Sequence, residues 1–256
     1  MDRAEAIELQ RRGLEAFVRT LAAASPAGRL LEYPGVLGSA VPAAASRSVV
    51  NSVVYETAEE LAAALAPLAV AYRHLGVKAW TVWTPEGDRP AARLLEAGGH
   101  RLDAAPAAMA LALADLPEPD LGGLDWDADA TPQEVARLND LAYGWAGEGF
   151  TGALERIPFD SLRLYRARVD GETACVAAMI DRDDDCVLVM VATEPARRGA
   201  GIARRLCHAA LAEARGRGLR TSTLQATKLG RPVYERLGYR TFGTIEMWER
   251  REAEAP

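Results

Sequence analysis

The stretch Val187 to Tyr239 constrains the fold more than any other part of the chain. It opens with an apolar run, V-L-V-M-V-A-T (Val187–Thr193), and turns through E-P-A-R-R-G-A-G-I-A (Glu194–Ala203). It continues as an amphipathic helix with Ile202, Leu206, Ala209, Ala210, Leu211 and Ala214 on one face, ended by Gly218. A second strand, Leu219–Ala226, leads into G-R-P-V-Y-E-R-L-G-Y (Gly230–Tyr239). Strand, glycine-rich turn, helix, strand and short helix make a βαβα unit. A helix start leaves backbone N–H groups without partners, and Gly199 and Gly201 place no side chain in the way of a ligand. Such a turn favours a phosphate or pyrophosphate, and Arg197 and Arg198 add positive charge.

Two motifs within this unit carry a family resemblance. Arg198-x-x-Gly201-x-Ala203 resembles the (Gln/Arg)-x-x-Gly-x-(Gly/Ala) signature of the GCN5-related N-acetyltransferases (GNAT) and lies between a strand and a helix, as it does there. Downstream, Tyr234 and Gly238-Tyr239 are similar to the family's Tyr-x-x-x-Gly-(Phe/Tyr) element. The resemblance covers about the C-terminal half. It implies that Arg197, Arg198, Gly199, Ala200, Gly201, Ile202 and Ala203 hold the pyrophosphate of acetyl-coenzyme A. It also implies that Val191, Ala192 and Thr193, at the end of a splayed strand, pair with the pantetheine arm. Thr227 stands where many members have Asn, as a coenzyme contact. Tyr234 is the implied general acid, since a phenol stays protonated near neutrality. The segment after the first helix of this half becomes an acceptor wall, with Trp145, Glu148 and Phe150 as contacts and with exposed aromatic rings expected. No general base is evident; Glu148, Asp125 or Asp127 could act through water.

The N-terminal half repeats the order of the C-terminal half. Gly76 and Gly218 are separated by the same interval as Arg89-Pro90 and Arg231-Pro232. The first half lacks the Arg-Gly turn, and Ala92 stands where the second has Tyr234. This points to an internal duplication and resembles tandem acetyltransferases with one degenerate copy. The expected fold class is α/β: two tandem acyl-CoA N-acyltransferase (GNAT-like) domains with mixed, mostly antiparallel sheets flanked by helices. The expected division is 1–118 for the degenerate copy and 119–256 for the catalytic one, because Leu116–Ala130 is polar and turn-rich.

Helices are expected over 3–24, from the Thr57 capping box to Gly76 with a kink or interruption at Pro67, over Arg89–Ala97, and from Thr131-Pro132 to Tyr143-Gly144. Strands are expected over 46–56, 77–84, 109–113, 162–169, 172–180 and 187–193, with residues 25–45 mostly irregular. Trp80, Trp83 and Tyr55 are read as core, and Asp181, Asp183, Asp184 and Asp185 as a solvated turn.

At 256 residues, 49% hydrophobic and 26% charged, the chain can bury a substantial core. The net charge of −6 argues against nucleic acid and suits a cationic or amine substrate. Cys175, Cys186 and Cys207 show no metal spacing, and His74, His100 and His208 are scattered, so no metal is expected. The N-terminus lacks a signal-peptide core and no apolar run approaches transmembrane length; a soluble, cytoplasmic monomer or homodimer is expected. The function expected is direct acetyl transfer from acetyl-CoA to a primary amine, with a non-catalytic acyl-CoA-binding module as the alternative. An NAD-type domain is disfavoured because R-G-A-G-I-A lacks the full G-x-G-x-x-G fingerprint.

Overall fold

The structure, a computed structural model, describes residues 1–145 and 149–252. Helix α1 (Arg3–Ala24) starts where Asp2 accepts a hydrogen bond from Glu5 N. Strands β1 (Arg29–Tyr33) and β2 (Val36–Ala40) form a hairpin with Tyr33 opposite Val36. Its Gly, Pro and Ala content makes this segment read as mostly irregular in the sequence. The signal was the dipeptide Pro34-Gly35, whose glycine adopts a φ of 63°. The expected 46–56 strand is confined to β3 (Ser52–Tyr55), because residues 48–50 form a 3₁₀ turn.

Helix α2 (Ala58–His74) is capped by Thr57 and runs through Pro67 without interruption. Pro67 lies on the exposed side, so water can serve the carbonyl it leaves unbonded, while Leu61, Leu65, Leu68 and Tyr72 hold the other face in the core. β4 (Ala79–Pro85) and α3 (Arg89–Ala97, capped by Asp88) follow, then two strands where one was expected, β5 (Arg101–Ala104) and β6 (Ala107–Ala112).

A short β7 (Asp125–Asp127) lies in the expected linker, followed by α4 (Pro132–Ala142), whose start is a complete capping box between Thr131 and Glu134. Then come β8 (Leu162–Val169), β9 (Glu172–Arg182), β10 (Asp185–Thr193), α5 (Ile202–Gly216), β11 (Thr221–Ala226), α6 (Arg231–Glu235) and β12 (Arg240–Arg251). All six apolar residues assigned to the inner face of α5 are buried.

Eleven strands join in one continuous path, β1-β2-β3-β4-β12-β6-β11-β10-β9-β8-β7, with β5 paired to β12 off this path, in place of the two sheets expected from the sequence. The cause is β12. Its first residues pair with β6; a bulge at Thr241–Gly243 then lets Ile245–Arg251 pair with β4. The closing strand of each half thus lies against the other half. Outward from the β12–β6 seam the two sides read alike: an antiparallel neighbour (β4 or β11), a strand parallel to it (β3 or β10), then two antiparallel strands.

Helix α1 crosses this seam. Its fully buried Gln10 donates to Met109 O (2.7 Å) and Leu224 O (3.1 Å), while Gln225 donates to Gln10 Oε1 (2.6 Å). A Cβ at Gly13 would lie 3.1 Å from Val187, so glycine lets the helix sit close on β10.

Trp80, Trp83 and Tyr55 are core residues, as expected. Trp80 stacks on Tyr72, Trp83 Nε1 donates to Ser52 Oγ, and the Tyr55 hydroxyl donates to Asp88. The acidic cluster is only in part a solvated turn. Asp181 binds Arg163 and Arg217, and Asp184 binds Arg220, but Asp185 opens β10 at 5% exposure and accepts from Thr221 and Thr223 hydroxyls at 2.8 and 2.7 Å.

Burial pushes the Asp185 carboxyl up to about 6, against the pull of the two hydroxyls. A raised carboxyl favours folding below its unfolded value of about 3.9, and that contribution is lost as pH rises through about 6. Stability should therefore fall over this window by on the order of 2–3 kcal/mol from this group. Asp185→Asn should abolish that part of the slope in urea unfolding measured between pH 4 and 7. Equal slopes in the two proteins would contradict it.

Candidate functional site

Strands β10 and β11 pair in parallel only from Asp185 to Val187 on β10, opposite Thr221 to Thr223. Beyond this they part, while β11 stays paired to β6 along its whole length. The freed edge of β10 also carries a bulge: its register with β9 shifts between Val189 and Ala192, and Met190 has a φ of 49°. Asn139, buried on α4, holds the bulge by donating to Met190 O (3.0 Å) and to Val135 O (2.8 Å). Val191 and Thr193 are half-buried at the mouth of this gap, and Ala192 is buried. The Thr193 hydroxyl donates to Cys175 Sγ (3.3 Å).

The turn after β10 ends at α5. Helices α1 to α4 each begin with a side-chain cap, from Asp2, Thr57, Asp88 and Thr131. α5 begins at Gly201 with no side-chain cap and no acidic residue in its first turn. The N–H groups of residues 199 to 204 find no acceptor among the described residues. Gly199 and Gly201 have φ values of 83° and 72°, and a Cβ on either would meet open space. Donors, dipole and access therefore converge on an open turn suited to an anion.

Ala200 is exposed, Ala203 is half-buried, and Ile202 is buried, so Ile202 can offer the turn only its backbone. The two arginines were expected to add charge directly. Instead Arg197 pairs with Asp170 (2.9 Å) and Arg198 donates to Ala142 O (2.6 Å), so both guanidinium groups are committed within the protein. The anion chemistry of the turn rests first on its backbone.

Tyr234 sits in α6 at 9% exposure, its ring edge-on to Tyr239 at 5.9 Å. Gly230 makes room for it: a Cβ there would lie 3.2 Å from the Tyr234 ring. The Tyr234 hydroxyl has no hydrogen-bond partner among the described residues, whereas Tyr239 shares a 2.6 Å hydrogen bond with Ser222. Burial above all, helped by Cys207, Tyr143 and Cys175, drives the Tyr234 phenol well above its usual pKa. It is a proton donor throughout the neutral range. Thr227 is exposed, and its Oγ1 accepts from Gly230 N (3.1 Å), which leaves its hydroxyl proton available.

The segment after α4 departs from its sequence reading. Phe150 is buried at 4% exposure rather than presented to solvent. Asp140, itself buried, accepts from Phe150 N (2.8 Å), Thr151 N (3.1 Å) and the Thr151 hydroxyl (2.8 Å), and so draws the segment inward. Trp145 N donates to Asp140 O at 2.8 Å. Glu148 lies outside the described residues. The rings of Trp145, Phe150 and Tyr143 gather around the guanidinium of Arg47, at 4.5, 5.5 and 5.8 Å from ring centroid to Cζ. The sequence assigns no site role to Asp140, Asn139, Tyr143 or Arg47. A polar residue on an apolar helix face was the only available sign of the first two, and Arg47 lies too far along the chain from its partners for any spacing to reveal it.

Asp125 and Asp127 do not join this constellation. They lie on the terminal strand β7, in ion pairs with Arg166 and Arg168. Burial works against the Asp127 charge, but Asp129 N, Arg168 and Arg166 hold its carboxyl below the usual range, which makes it a weak base. Among the described residues no group of three or more His, Cys, Asp or Glu could hold a metal ion, and no helix is long and apolar enough to cross a membrane.

Residues 130–247 match the family model described as an acetyltransferase (GNAT) domain. No curated protein matches the sequence. Among solved structures, a GCN5-related N-acetyltransferase from Kribbella flavida aligns with a TM-score of 0.69 at 18% identity, covering 95% of this chain and 96% of that one. A protein of the GNAT family from Novosphingobium aromaticivorans aligns with a TM-score of 0.58 at 18% identity, over 94% and 99% of the two chains. A tandem GNAT protein from the clavulanic acid biosynthesis pathway aligns with a TM-score of 0.56 at 14% identity, over 95% and 88%. At these identities the likenesses show a GNAT-like α/β fold alone, and the family model matches residues 130–247, within the C-terminal half.

Proposed function

We propose that the chain is an acetyl-CoA-dependent N-acetyltransferase whose C-terminal half, about 119–256, carries the reaction. The observation that supports this most is the uncapped start of α5, open above two left-handed glycines, at the mouth of the parted β10 and β11. Backbone N–H groups of residues 199 to 203 would hold the pyrophosphate, with Arg197 and Arg198 steadying the turn from its flanks. The freed edge at Val191, Ala192 and Thr193 would pair with the pantetheine arm, and the Thr227 hydroxyl would add a donor. An amine would attack the thioester carbonyl carbon, the C–S bond would break, and the sulfur would leave with the proton of Tyr234. Water would take the proton lost by the amine and return a proton to the Tyr234 phenolate, which closes the cycle.

In the same reading the N-terminal half, about 1–118, is a copy that has lost the coenzyme site. Its helix α2 begins with the Thr57 cap, and the Glu60 carboxylate occupies the space above Gly35. The cap takes the Glu60 N–H, and the Glu60 carboxylate opposes a second anion at this helix start. The mirrored strand order on either side of the β12–β6 seam supports a common origin.

Release of free thiol from acetyl-CoA, followed with a panel of amines, tests the assignment. Amine-dependent release is expected. Tight coenzyme binding without release for any amine would point instead to an acyl-CoA-binding module.

A further inference from the structure

Arg47 lies between β2 and β3, in the N-terminal half, yet its side chain enters the wall after α4. Its backbone is fixed: Asn51, fully buried, donates from Nδ2 to Arg47 O (3.1 Å) and Ala44 O (3.0 Å), and accepts from Val41 N. Val41, Ala44 and Val50 share one core cluster with Phe150, Val189 and Ala192, so this loop belongs to the same core as the strand that borders the gap.

The guanidinium is half-buried, and three aromatic rings surround it. Nε is fully buried and has no acceptor, and no carboxylate lies at ion-pair distance among the described residues. Asp140 is the first carboxylate to act on it through space, but that group is spent on Phe150 and Thr151. Other half-buried arginines of this protein are paired: Arg166 with Glu134 and Asp127, and Arg217 with Asp181. A partly desolvated cation with unpaired donors is costly to maintain, and the rings stabilise its faces without serving its N–H edge.

Arg47 touches the end of α4 that also meets the turn before α5: Tyr143, 5.8 Å from its Cζ, follows Ala142, whose carbonyl accepts from Arg198. Tyr143 acts electrostatically on Tyr234 and is itself acted on by Arg47 and Arg198. Arg198 binds the last residue of α4, and Asn139 ties α4 to the β10 bulge.

We propose that Arg47 receives a carboxylate of the acceptor, so that the substrates are amines bearing a carboxylate, of the amino-acid type. This rests on the acetyltransferase reading above. A guanidinium edge matches a carboxylate in a two-point contact. One fixed positive charge balances one carboxylate, while a phosphate dianion would call for a second free cation. The cage made by Tyr143, Trp145 and Phe150 is already filled by the protein's own cation, which disfavours polyamines and other polycationic acceptors despite the overall negative charge.

The test compares thioester release by the full chain with α-amino acids, their primary amides and the corresponding decarboxylated amines. The free acids should be favoured in kcat/KM by at least about tenfold, the range of a hydrogen-bonded charge. Arg47→Gln should remove that preference through KM for the acids, with kcat and the values for amides nearly unchanged, and Arg47→Lys should keep part of it. Equal use of acids and amides by the natural protein would overturn the inference while leaving the acetyltransferase reading intact. An equal loss on both in Arg47→Gln would also overturn it, since a mere brace of the wall behaves that way. Binding of N-acetylglycine against N-acetylglycinamide to the coenzyme-A-loaded protein, followed by tryptophan fluorescence, gives a readout independent of turnover. A preference for the acid that disappears in Arg47→Gln is expected, and no preference would count against the site.

Discussion

Tyr234→Phe should lower kcat by about 10²–10⁴-fold, the usual worth of a positioned proton donor, while coenzyme affinity stays within about threefold. The two effects separate because the hydroxyl is not part of the protein's own hydrogen-bond network. Tyr239 next to it is bound to Ser222, but Tyr234 has no such partner among the described residues. Removing its oxygen leaves no buried group unsatisfied, so the fold should hold. The chemistry should suffer, because the departing thiolate loses a donor that burial keeps protonated. Stopped-flow acetyl transfer beside equilibrium coenzyme binding measures both. Unchanged turnover across pH 6–9 would remove Tyr234 from the reaction.

Ala200→Glu should weaken coenzyme binding by about 100-fold or more, from one carboxylate set against a pyrophosphate at moderate effective dielectric. The substitution lies in the exposed turn before α5. Acidic groups at a helix start are favourable by about 0.3–1 kcal/mol, and α5 has none in its first turn. Stability should therefore be unchanged or slightly raised. A variant that is no less stable but does not bind coenzyme would distinguish loss of an anion site from loss of structure. Calorimetric titration alongside thermal unfolding reads both quantities.

The local grammar of this chain was legible because the groups that set it are neighbours in sequence. Thr57, Thr131 and the Arg89-Pro90 pair mark helix starts that the structure places within a residue or two of expectation. The strand, turn and helix from Asp185 to Gly216 likewise announce themselves through apolar runs and paired glycines. What escaped depends on partners far along the chain. The pairing of β12 with β4 joins residues 245–251 to 79–85, and no periodicity within either strand could reveal it. Asp185 looked like one more aspartate in a polar turn, and only the Thr221 and Thr223 hydroxyls of the neighbouring strand make its burial tolerable. Phe150 looked exposed because its flanking residues are polar and small, while Asp140 directs it inward from ten positions earlier. Arg197 and Arg198 show a related limit: the charge was readable, but not that Asp170 and the end of α4 would engage it.

On the proposed reading the start of α5 grips an acyl carrier and leaves its sulfur beside Tyr234. A crystal structure of the protein with acetyl-CoA tests this most directly. Pyrophosphate oxygens are expected within hydrogen-bond distance of the backbone N–H groups of residues 199 to 204, with the pantetheine arm along the free edge of β10 and the sulfur close to the Tyr234 hydroxyl. Coenzyme bound elsewhere, with these N–H groups facing only solvent, would contradict it.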